Sequence, residues 1–434
     1  MARRYGSMLA VTMAATVVVV SCKSKRSTPI EDTIEAAAAS AERPRAAPEK
    51  PDLALRAIEL AHRYIIVDGH IDVPWRLEES RADDGKLTEE VSVRTPKGDF
   101  DWERAVRGGL SAPFMSIYVP ASFERGGAKQ MADKLIDLVF DMQQKEPLKF
   151  QVARSPGEVR ANFARRGLVS LLLGMENGSP IERNLKNVAH FYDRGVRYIT
   201  LAHSKDNHIS DSSYDDGHKN KGLSEFGRRV VAEMNRLGIM VDVSHLSDDA
   251  FWQVMKVSKV PVIASHSSCR HFTPGWQRNM SDEMIKDLAE HGGVIHVNFG
   301  SGFVDAESQK QATAQFDELD AILKKQKLDW ADKKAKPIID GYHAQHARKL
   351  ATVEQVADHI DHVKKLAGID HVGLGSDFDG VGDTLPKGLR DVSEYPNLIR
   401  VLLERGYTDD EIEKLCSGNS LRVWQAAEDF AKSD

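Results

Sequence analysis

Short apolar runs alternate with amphipathic segments along most of this chain, and this alternation restricts its fold more than any other feature. The eight runs are Tyr64–Val67, Phe114–Tyr118, Val169–Leu173, Tyr198–Leu201, Ile239–Val243, Val260–Ala264, Val294–Val297 and His371–Leu374. Strands that alternate with helices form parallel sheets. Eight such units in a chain of 434 residues predict a (β/α)8 TIM-type barrel with insertions. A doubly wound open sheet is the alternative.

Four of the intervening segments begin at a residue that commonly caps helices. Ser224, Ser247, Ser281 and Thr352 each precede a stretch with apolar residues at helical spacing. These signals predict helices between the strands, as the barrel requires.

The N-terminal residues have a different character from the rest of the chain. Arg3 and Arg4 precede a largely apolar run over residues 8–20, which is too short to cross a bilayer but suits the core of a signal peptide. The run ends in the sequence VVSC at Cys22, which is similar to a bacterial lipobox, in which the cysteine is lipidated. A secretory signal without lipidation is the alternative.

These features predict three segments. Residues 1–21 are expected to be a lipoprotein signal peptide. Residues 22–50 are rich in Ala, Pro and charge, so they bury too little apolar surface to fold and are expected to be a flexible linker. Residues 51–434 are expected to form the barrel. The expected location is the bacterial cell envelope, with a lipid anchor to the membrane through Cys22.

Composition excludes several classes of protein. The net charge is −6 and no long basic block occurs, whereas a nucleic-acid-binding protein normally shows a basic face. Three cysteines without a C-x-x-C pair exclude a disulfide scaffold and a cysteine zinc site. The sequence leaves open whether Cys269 and Cys416 form a disulfide.

Side chains that commonly ligate metals follow six of the eight predicted strands. They are His70 and Asp72 after the first, Glu176 after the third, His203 after the fourth, His245 after the fifth, His266 after the sixth and Asp377 after the eighth. Active sites of such barrels lie at the carboxyl ends of the strands. We therefore expect these side chains to converge on one site.

The residue types predict a metal centre. His70 and Asp72 are alternate residues of one strand, so both side chains can reach one ion. His245 and His266 could hold a second ion, and Glu176 is the natural bridge between the two. Imidazole and carboxylate groups suit zinc, and two such ions can share a hydroxide that hydrolyses an amide or an ester.

A further carboxylate is expected to move the proton. Asp377 would lie opposite the ions as a general acid and base. Asp68 and Asp379 lie two residues from His70 and Asp377, so their side chains would point to the same side of the strand, and they are alternative carboxylates. Glu176 could instead cap the helix that follows it.

The motifs resemble the membrane dipeptidase (renal dipeptidase) family of metallopeptidases, within the amidohydrolase-like barrels. The matching stretches are VDGHIDVPWRL (67–77), GMENGSP (174–180), ITLAHSKDNHISDSS (199–213), VDVSHLSD (241–248), PVIASHSSCRHFTPGWQRNMSDEM (261–284), GIDHVGLGSDFDGV (368–381) and DVSEYPNLIRVLLERGYTDDEIEKLCSGNSLRVW (391–424). Together they span nearly all of the chain beyond residue 60, in the order typical of the family.

The resemblance implies a role for each site residue. It gives His70 and Asp72 to one metal, His245 and His266 to the other, and makes Glu176 the bridging ligand. It further implies that His203 contacts the substrate and stabilises the tetrahedral intermediate, that Arg278 binds substrate near its carboxylate, and that Asp377 contacts substrate and handles the proton. A surface ion pair is the alternative role for Arg278.

The implied activity is metal-dependent hydrolysis of dipeptides by a bridging hydroxide on a dinuclear site, with Zn²⁺ as the expected ion. Some family members accept a D-residue at the C-terminal position, and the family also implies a homodimer. One alternative is a barrel amidohydrolase acting on another amide, which is disfavoured because those enzymes commonly open with His-x-His and bridge their metals with a carboxylated lysine. The other is a non-catalytic envelope lipoprotein that binds peptides, which is disfavoured by the intact ligand set.

One segment is longer than a simple connection needs. Residues 301–350 follow the seventh predicted strand, and six lysines lie between positions 324 and 336, around Trp330. A solvated amphipathic helix is the expected structure, with a lid or a subunit contact near the site mouth as the alternative.

Overall fold

Parallel strands form a closed ring. The structure, a computed structural model, describes residues 52–328, 330 and 334–433. Its strands are β1 (Ile66–Ile71), β2 (Leu110–Tyr118), β3 (Phe150–Val152), β4 (Val169–Glu176), β5 (Val196–Thr200), β6 (Met240–Asp242), β7 (Ile263–Ala264), β8 (Val294–Val297) and β9 (Val372–Leu374). Strand β2 pairs with both β1 and β4, and β9 pairs with β1, so all strands except β3 close into a barrel. The predicted (β/α)8 barrel is confirmed.

Each of the eight predicted runs overlaps a barrel strand. Strands β1 and β4 extend further than predicted, so His70 and Glu176 lie within strands instead of after them. Strand β3 was not predicted. It pairs with β4 outside the ring, and three residues are too few to give a recognisable apolar run.

Helices connect the strands. They are α1 (Leu53–Arg63), α2 (Val73–Glu79), α3 (Trp102–Gly108), α4 (Ala128–Lys145), α5 (Pro156–Phe163), α6 (Lys186–Asp193), α7 (Glu225–Leu237), α8 (Asp248–Val257), α9 (Asp282–Glu290), α10 (Ser301–Val304), α11 (Ala306–Lys325), α12 (Lys336–Gln345), α13 (Val353–Ala367), α14 (Tyr395–Glu404), α15 (Asp409–Glu413) and α16 (Asn419–Ser433). Short 3₁₀ turns occur at Ala121–Arg125, Ser179–Ile181, Arg270–Phe272, Ile369–His371 and Gly382–Thr384, and a π-helical turn at Lys414–Gly418 precedes α16.

The four predicted helix starts are confirmed. The hydroxyl groups of Ser224, Ser247 and Ser281 accept the backbone N–H three residues later, at the starts of α7, α8 and α9. Thr352 forms a capping box with Gln355 at the start of α13. Each cap satisfies a backbone donor that the first turn of a helix leaves without a partner.

Two apolar clusters form the core. The larger lies mainly where helices pack on strands, and the smaller joins residues of seven barrel strands to α16. In the smaller cluster the ring of Phe114 contacts those of Tyr198 and Trp424, with centroids 5.0 and 5.8 Å apart. Cys269 and Cys416 are buried free thiols. Within the described ranges, no helix has the length and apolar character needed to cross a bilayer.

The described part of the 301–350 segment is mostly helical and solvated. It contains α10, α11 and α12, and only Ser308, Leu319 and Leu323 of the long α11 are buried. The predicted solvated amphipathic helix is confirmed. The exposed ring of Phe316 stacks on Trp330, with centroids 4.7 Å apart.

Candidate active site and metal centre

The carboxyl ends of the barrel strands bring the predicted residues together. His70 lies in β1 and Asp72 directly follows it, Glu176 ends β4, and His203, His245, His266 and Asp377 follow β5, β6, β7 and β9. Arg278 lies between β7 and α9 and reaches the same group of side chains. All of these residues except His203 are buried, and the His203 side chain is 19% exposed.

Glu176 is the centre of the cluster. Its Oε2 atom lies 3.4 Å from Nε2 of His70, whereas its Oε1 atom lies 3.1 and 3.2 Å from Nε2 of His245 and His266. Nε2 of His203 is 3.5 Å from the same Oε1 atom. The two carboxylate oxygens therefore face two different sets of imidazoles.

The donor set fits divalent metal ions. Nε2 of His70 and Oδ1 of Asp72 are buried without a hydrogen-bond partner among the described residues, an arrangement that is costly unless another ligand satisfies them. Nε2 of His245 lies 2.7 Å from Nε2 of His266, so two ring nitrogens point at one place. Neutral imidazole and carboxylate groups are the usual ligands of zinc.

Electrostatics favours ligand-competent protonation states at three of these residues. Burial lowers the pKa of His245 and of His266 well below the usual value, so both rings are neutral. Burial raises the pKa of Glu176, but the charges of His70 and His203 outweigh it and hold that pKa well below its usual range. Glu176 is therefore an anionic carboxylate.

His70 differs from the other imidazoles. Burial lowers its pKa, but electrostatic interactions with the Tyr198 hydroxyl and with the carboxylates of Glu176 and Asp72 outweigh burial and raise that pKa well above the usual value. The surroundings of this ring thus favour positive charge at Nε2, which is the atom that a metal cation would bind in place of the proton.

Hydrogen bonds to Nδ1 fix the orientation of the His70 and His266 rings. The Tyr198 hydroxyl donates to the carbonyl of Gly69 (3.1 Å) and accepts from Nδ1 of His70 (2.8 Å). Ser265 Oγ donates to Asp242 (2.7 Å) and accepts from Nδ1 of His266 (2.7 Å). Both contacts leave Nε2 of the histidine facing the cluster, as is usual for metal-binding imidazoles.

Asp377 lies at the edge of the cluster. The side-chain amide of Asn298 donates to its Oδ2 atom. Burial and the negative charge of Asp72 raise the pKa of Asp377 to about 7, while the hydrogen bond from Asn298 lowers it. A carboxyl group with a pKa near neutrality is suited to accept and to donate a proton.

The backbone is unusual at two site residues. His245 has φ 68° and Asp377 has φ 63°, in the left-handed region that non-glycine residues seldom adopt. Such conformations commonly occur at functional sites, where the surrounding structure enforces them.

Arg278 is a buried cation, 2% exposed, without a carboxylate partner in the described part of the chain. Its guanidinium donates to Ser267 Oγ (2.7 Å) and to the carbonyl of His266 (2.8 Å), and lies 5.1 Å from the ring centroid of Phe303. The alternative of a surface ion pair is therefore wrong. A buried guanidinium of this kind can bind an anionic group of a ligand.

The two alternative carboxylates have other partners. Asp68 accepts from the Tyr395 hydroxyl and from the backbone N–H groups of His70 and Ser376. Asp379 pairs with Arg76, with Nη1 and Oδ1 2.9 Å apart. Asp68 thus joins β1 to α14 and to the segment after β9, and Asp379 is paired with Arg76. A carboxylate oxygen of Asp377, in contrast, lies within 4.8 Å of ligand atoms of His70 and Asp72.

Sequence reasoning missed three neutral residues at the site. Tyr198 and Asn298 support His70 and Asp377, and Tyr118 places its ring 4.7 Å from that of His203. Tyr118 ends a predicted strand and Asn298 follows one, so the strand-end rule would have found them if it had included neutral side chains.

A cavity lies away from this cluster. About 580 Å³ in volume, it is bordered by Leu77, Met142 and Phe150 and by the charged residues Lys86 and Glu89. None of the predicted site residues lines it, so it is not the candidate active site.

Comparison with known proteins agrees with this geometry. Residues 55–434 match the family described as membrane dipeptidase (peptidase family M19). The chain belongs to this family. Members of the family are metallopeptidases that act as dipeptidases, and the family implies a divalent metal, typically zinc.

Individual relatives support the assignment. An uncharacterized dipeptidase of Schizosaccharomyces pombe is 32% identical over 383 residues, which are 85% of this chain and 82% of that protein. The crystal structure of the probable dipeptidase PvdM from Pseudomonas aeruginosa is similar with a TM-score of 0.73 and 26% identity, covering 87% of this chain and 99% of that one. A metallo peptidase from Rhodobacter sphaeroides, liganded with a phosphinate mimic of the dipeptide L-Ala-D-Ala, has a TM-score of 0.65 and 26% identity, covering 84% and 99%.

Proposed function

We propose that this protein hydrolyses dipeptides with a dinuclear zinc centre. His70 and Asp72 would hold one ion, His245 and His266 would hold the other, and Glu176 would contribute a carboxylate oxygen to each. The contacts of Glu176 carry the proposal, because Oε2 faces His70 while Oε1 faces His245 and His266. A carboxylate with this arrangement can ligate two ions at once.

Asp377 and His203 act on the bond that is broken. When bound, two such ions supply a water molecule activated near neutral pH and polarise the scissile carbonyl. Asp377 accepts the proton of the attacking water and transfers it to the leaving amine. His203 lies at the exposed edge of the cluster and donates to the oxyanion that develops on the carbonyl.

Arg278 sets the length of the substrate. Its buried guanidinium is placed to bind the free carboxylate of a C-terminal residue, which planar donors recognise bidentately. In a longer peptide an uncharged amide occupies that position and leaves the cation without a partner. Dipeptides are therefore the expected substrates.

A structural relative supports a proposal about the stereochemistry of the C-terminal residue. The metallo peptidase from Rhodobacter sphaeroides binds a phosphinate mimic of L-Ala-D-Ala, and its structure is similar to this chain over most of its length. We propose that this protein accepts both stereoisomers at that position.

Hydrolysis of L-Ala-L-Ala, L-Ala-D-Ala and C-terminally amidated L-Ala-L-Ala by the zinc-loaded protein tests the proposal. We expect the protein to cleave both free dipeptides. Cleavage of the C-terminally amidated control should be at least about tenfold weaker, because one charged hydrogen-bond pair is lost. The Asp377→Asn variant should cleave none of them. Arg278→Lys should raise KM for the free dipeptides and leave the amide unaffected. Absence of turnover with two zinc ions bound would refute the proposal.

The N-terminal predictions lie outside the described residues and form a separate proposal. Residues 1–21 act as a lipoprotein signal peptide, Cys22 becomes the lipidated first residue, and residues 22–50 link it to the barrel of residues 51–434 in the bacterial envelope. Wild-type protein should fractionate with membranes and incorporate labelled palmitate, whereas Cys22→Ser should do neither. We further propose the homodimer that the family resemblance implies, which sedimentation equilibrium tests.

A further inference from the structure

A second cluster of metal-ligand side chains lies outside the barrel centre and shares no residue with it. His271 belongs to the turn Arg270–Phe272, Asp282 begins α9, and His362 lies in α13. One possible ligand atom from each of the three lies within 4.8 Å of the other two.

The side chains of the cluster are arranged for a shared ligand. Nε2 of His362 is 2.8 Å from Oδ1 of Asp282, and the ring of His271 stacks on that of His362 with centroids 4.4 Å apart. The His271 ring makes no hydrogen bond to another described residue and is open to solvent. No lysine or arginine of the described chain pairs with Asp282, so its carboxylate remains available to a cation.

Two residues of the cluster lie at the two ends of the loop that carries Arg278. His271 and Asp282 stand at the two ends of the segment that carries Arg278, and His362 belongs to a different helix. Backbone hydrogen bonds from Arg270 to Met280 (2.8 Å) and from Met280 to Ser268 (2.9 Å) already bring the two ends together. An ion held by all three side chains would join both ends of this loop to α13.

We propose that His271, Asp282 and His362 form a peripheral zinc site that clamps the loop carrying Arg278. Two imidazoles and one carboxylate are a donor set that zinc prefers, and solvent completes the coordination on the open side. Because ion binding fixes residues that otherwise fluctuate separately, the clamp restricts the loop and stabilises the folded chain. This inference goes beyond the proposed hydrolysis and does not depend on it.

Zinc content tests the site. Wild-type protein and variants are dialysed against a metal buffer at micromolar free Zn²⁺, and bound zinc is counted by mass spectrometry. We expect His271→Ala and His362→Ala to hold one zinc fewer than the wild type. His291→Ala is the matched control, because its exposed imidazole at the end of α9 lies beside Asp287 but belongs to no cluster. Equal zinc content in the wild type and both cluster variants would overturn the proposal.

Two further measurements separate this site from the barrel centre. Glu176→Gln should weaken zinc binding in the barrel and retain an anomalous diffraction peak between His271 and His362. In the Glu176→Gln background, zinc should slow hydrogen exchange of the 271–282 amides, and the added change His362→Ala should abolish that slowing. A missing peak would refute the site, and unchanged exchange would refute the clamp, whatever the result with dipeptides.

Discussion

The side-chain amide of Asn298 donates a hydrogen bond to Oδ2 of Asp377 across 2.7 Å. The carbonyl oxygen of the same amide accepts the backbone N–H of Gly300, also at 2.7 Å, so the NH₂ group must face the carboxylate. Both side chains are buried. Asn298 is therefore a positioning residue for the carboxylate that we propose as the proton carrier.

Replacing Asn298 with Ala should lower kcat with little change in KM or zinc content. We expect a loss of about 10- to 100-fold, as is typical when a group that orients a catalytic residue is removed. Steady-state kinetics with zinc analysis measures this. Asn162→Ala, which removes an amide bonded to Ser170 on another part of the barrel, is the control. A wild-type kcat for Asn298→Ala would contradict the positioning role.

Replacing Tyr198 with Phe should weaken zinc binding at the barrel centre. The change keeps the ring in the core but removes the hydroxyl that accepts from Nδ1 of His70. We expect about 10- to 100-fold lower affinity for one ion, measured by competition with a chelator. Tyr407→Phe removes a hydroxyl bonded to Asp361, remote from the site, and should leave zinc affinity unchanged. Equal affinities in the two variants would show that the hydroxyl does not support the ligand.

Replacing Gly380 with Ala should inactivate the protein without unfolding it. A Cβ atom there would lie 2.2 Å from Oδ1 of Asp377 and 2.3 Å from Oδ2 of Asp72, so at least one carboxylate must move. We expect a loss of activity of about 100-fold or more, as for small displacements of reacting groups. Gly341→Ala, where the added carbon meets nothing within 4 Å, should retain full activity. Circular dichroism checks the fold, and an active Gly380→Ala protein would contradict the expectation.

The stability of the metal-free protein should depend on pH through His359. Its Nδ1 atom accepts the N–H of Cys269, its Nε2 donates to the carbonyl of Val304, and burial lowers the pKa from 6.5 to about 4. On acidification the unfolded chain therefore takes up a proton first. The stability that the neutral ring contributes is complete above about pH 6.5 and is lost as the pH falls towards 4.

Urea unfolding at pH 7.5 and pH 5 measures this contribution. We expect about 2 kcal/mol of the wild-type decrease between these pH values to be absent in His359→Asn, which keeps an acceptor but does not titrate. His291→Asn, at an exposed position, should behave as the wild type. An identical pH dependence in wild type and His359→Asn would contradict the shifted pKa.

The strands of the barrel were predictable because strands buried on both faces appear as continuous apolar runs. Strand β3 was not, since Phe150–Val152 lies outside the ring and is too short for such a run. Helix starts such as Ser281 were also predictable, because their signal is local.

The site was predictable only in part. Candidate ligand residues such as Glu176 were found because their chemistry is distinctive at the end of a strand. The partners that hold the neighbouring carboxylates were not found, because Tyr395 bonds to Asp68 and Arg76 to Asp379 across more than 300 residues of sequence. Such pairs form only when the barrel closes, and no local sequence pattern indicates which residues then meet.

Ring closure brings the first and last strands of the barrel side by side. The backbone N–H of Asp377 donates to the carbonyl of His70, and that of Asp72 donates to the carbonyl of Phe378. A growing polypeptide has made all five proposed metal ligands, from His70 to His266, before it reaches β9 (Val372–Leu374). A product that terminates before β9 would therefore contain every proposed ligand but would lack Asp377 and the strand that closes the barrel.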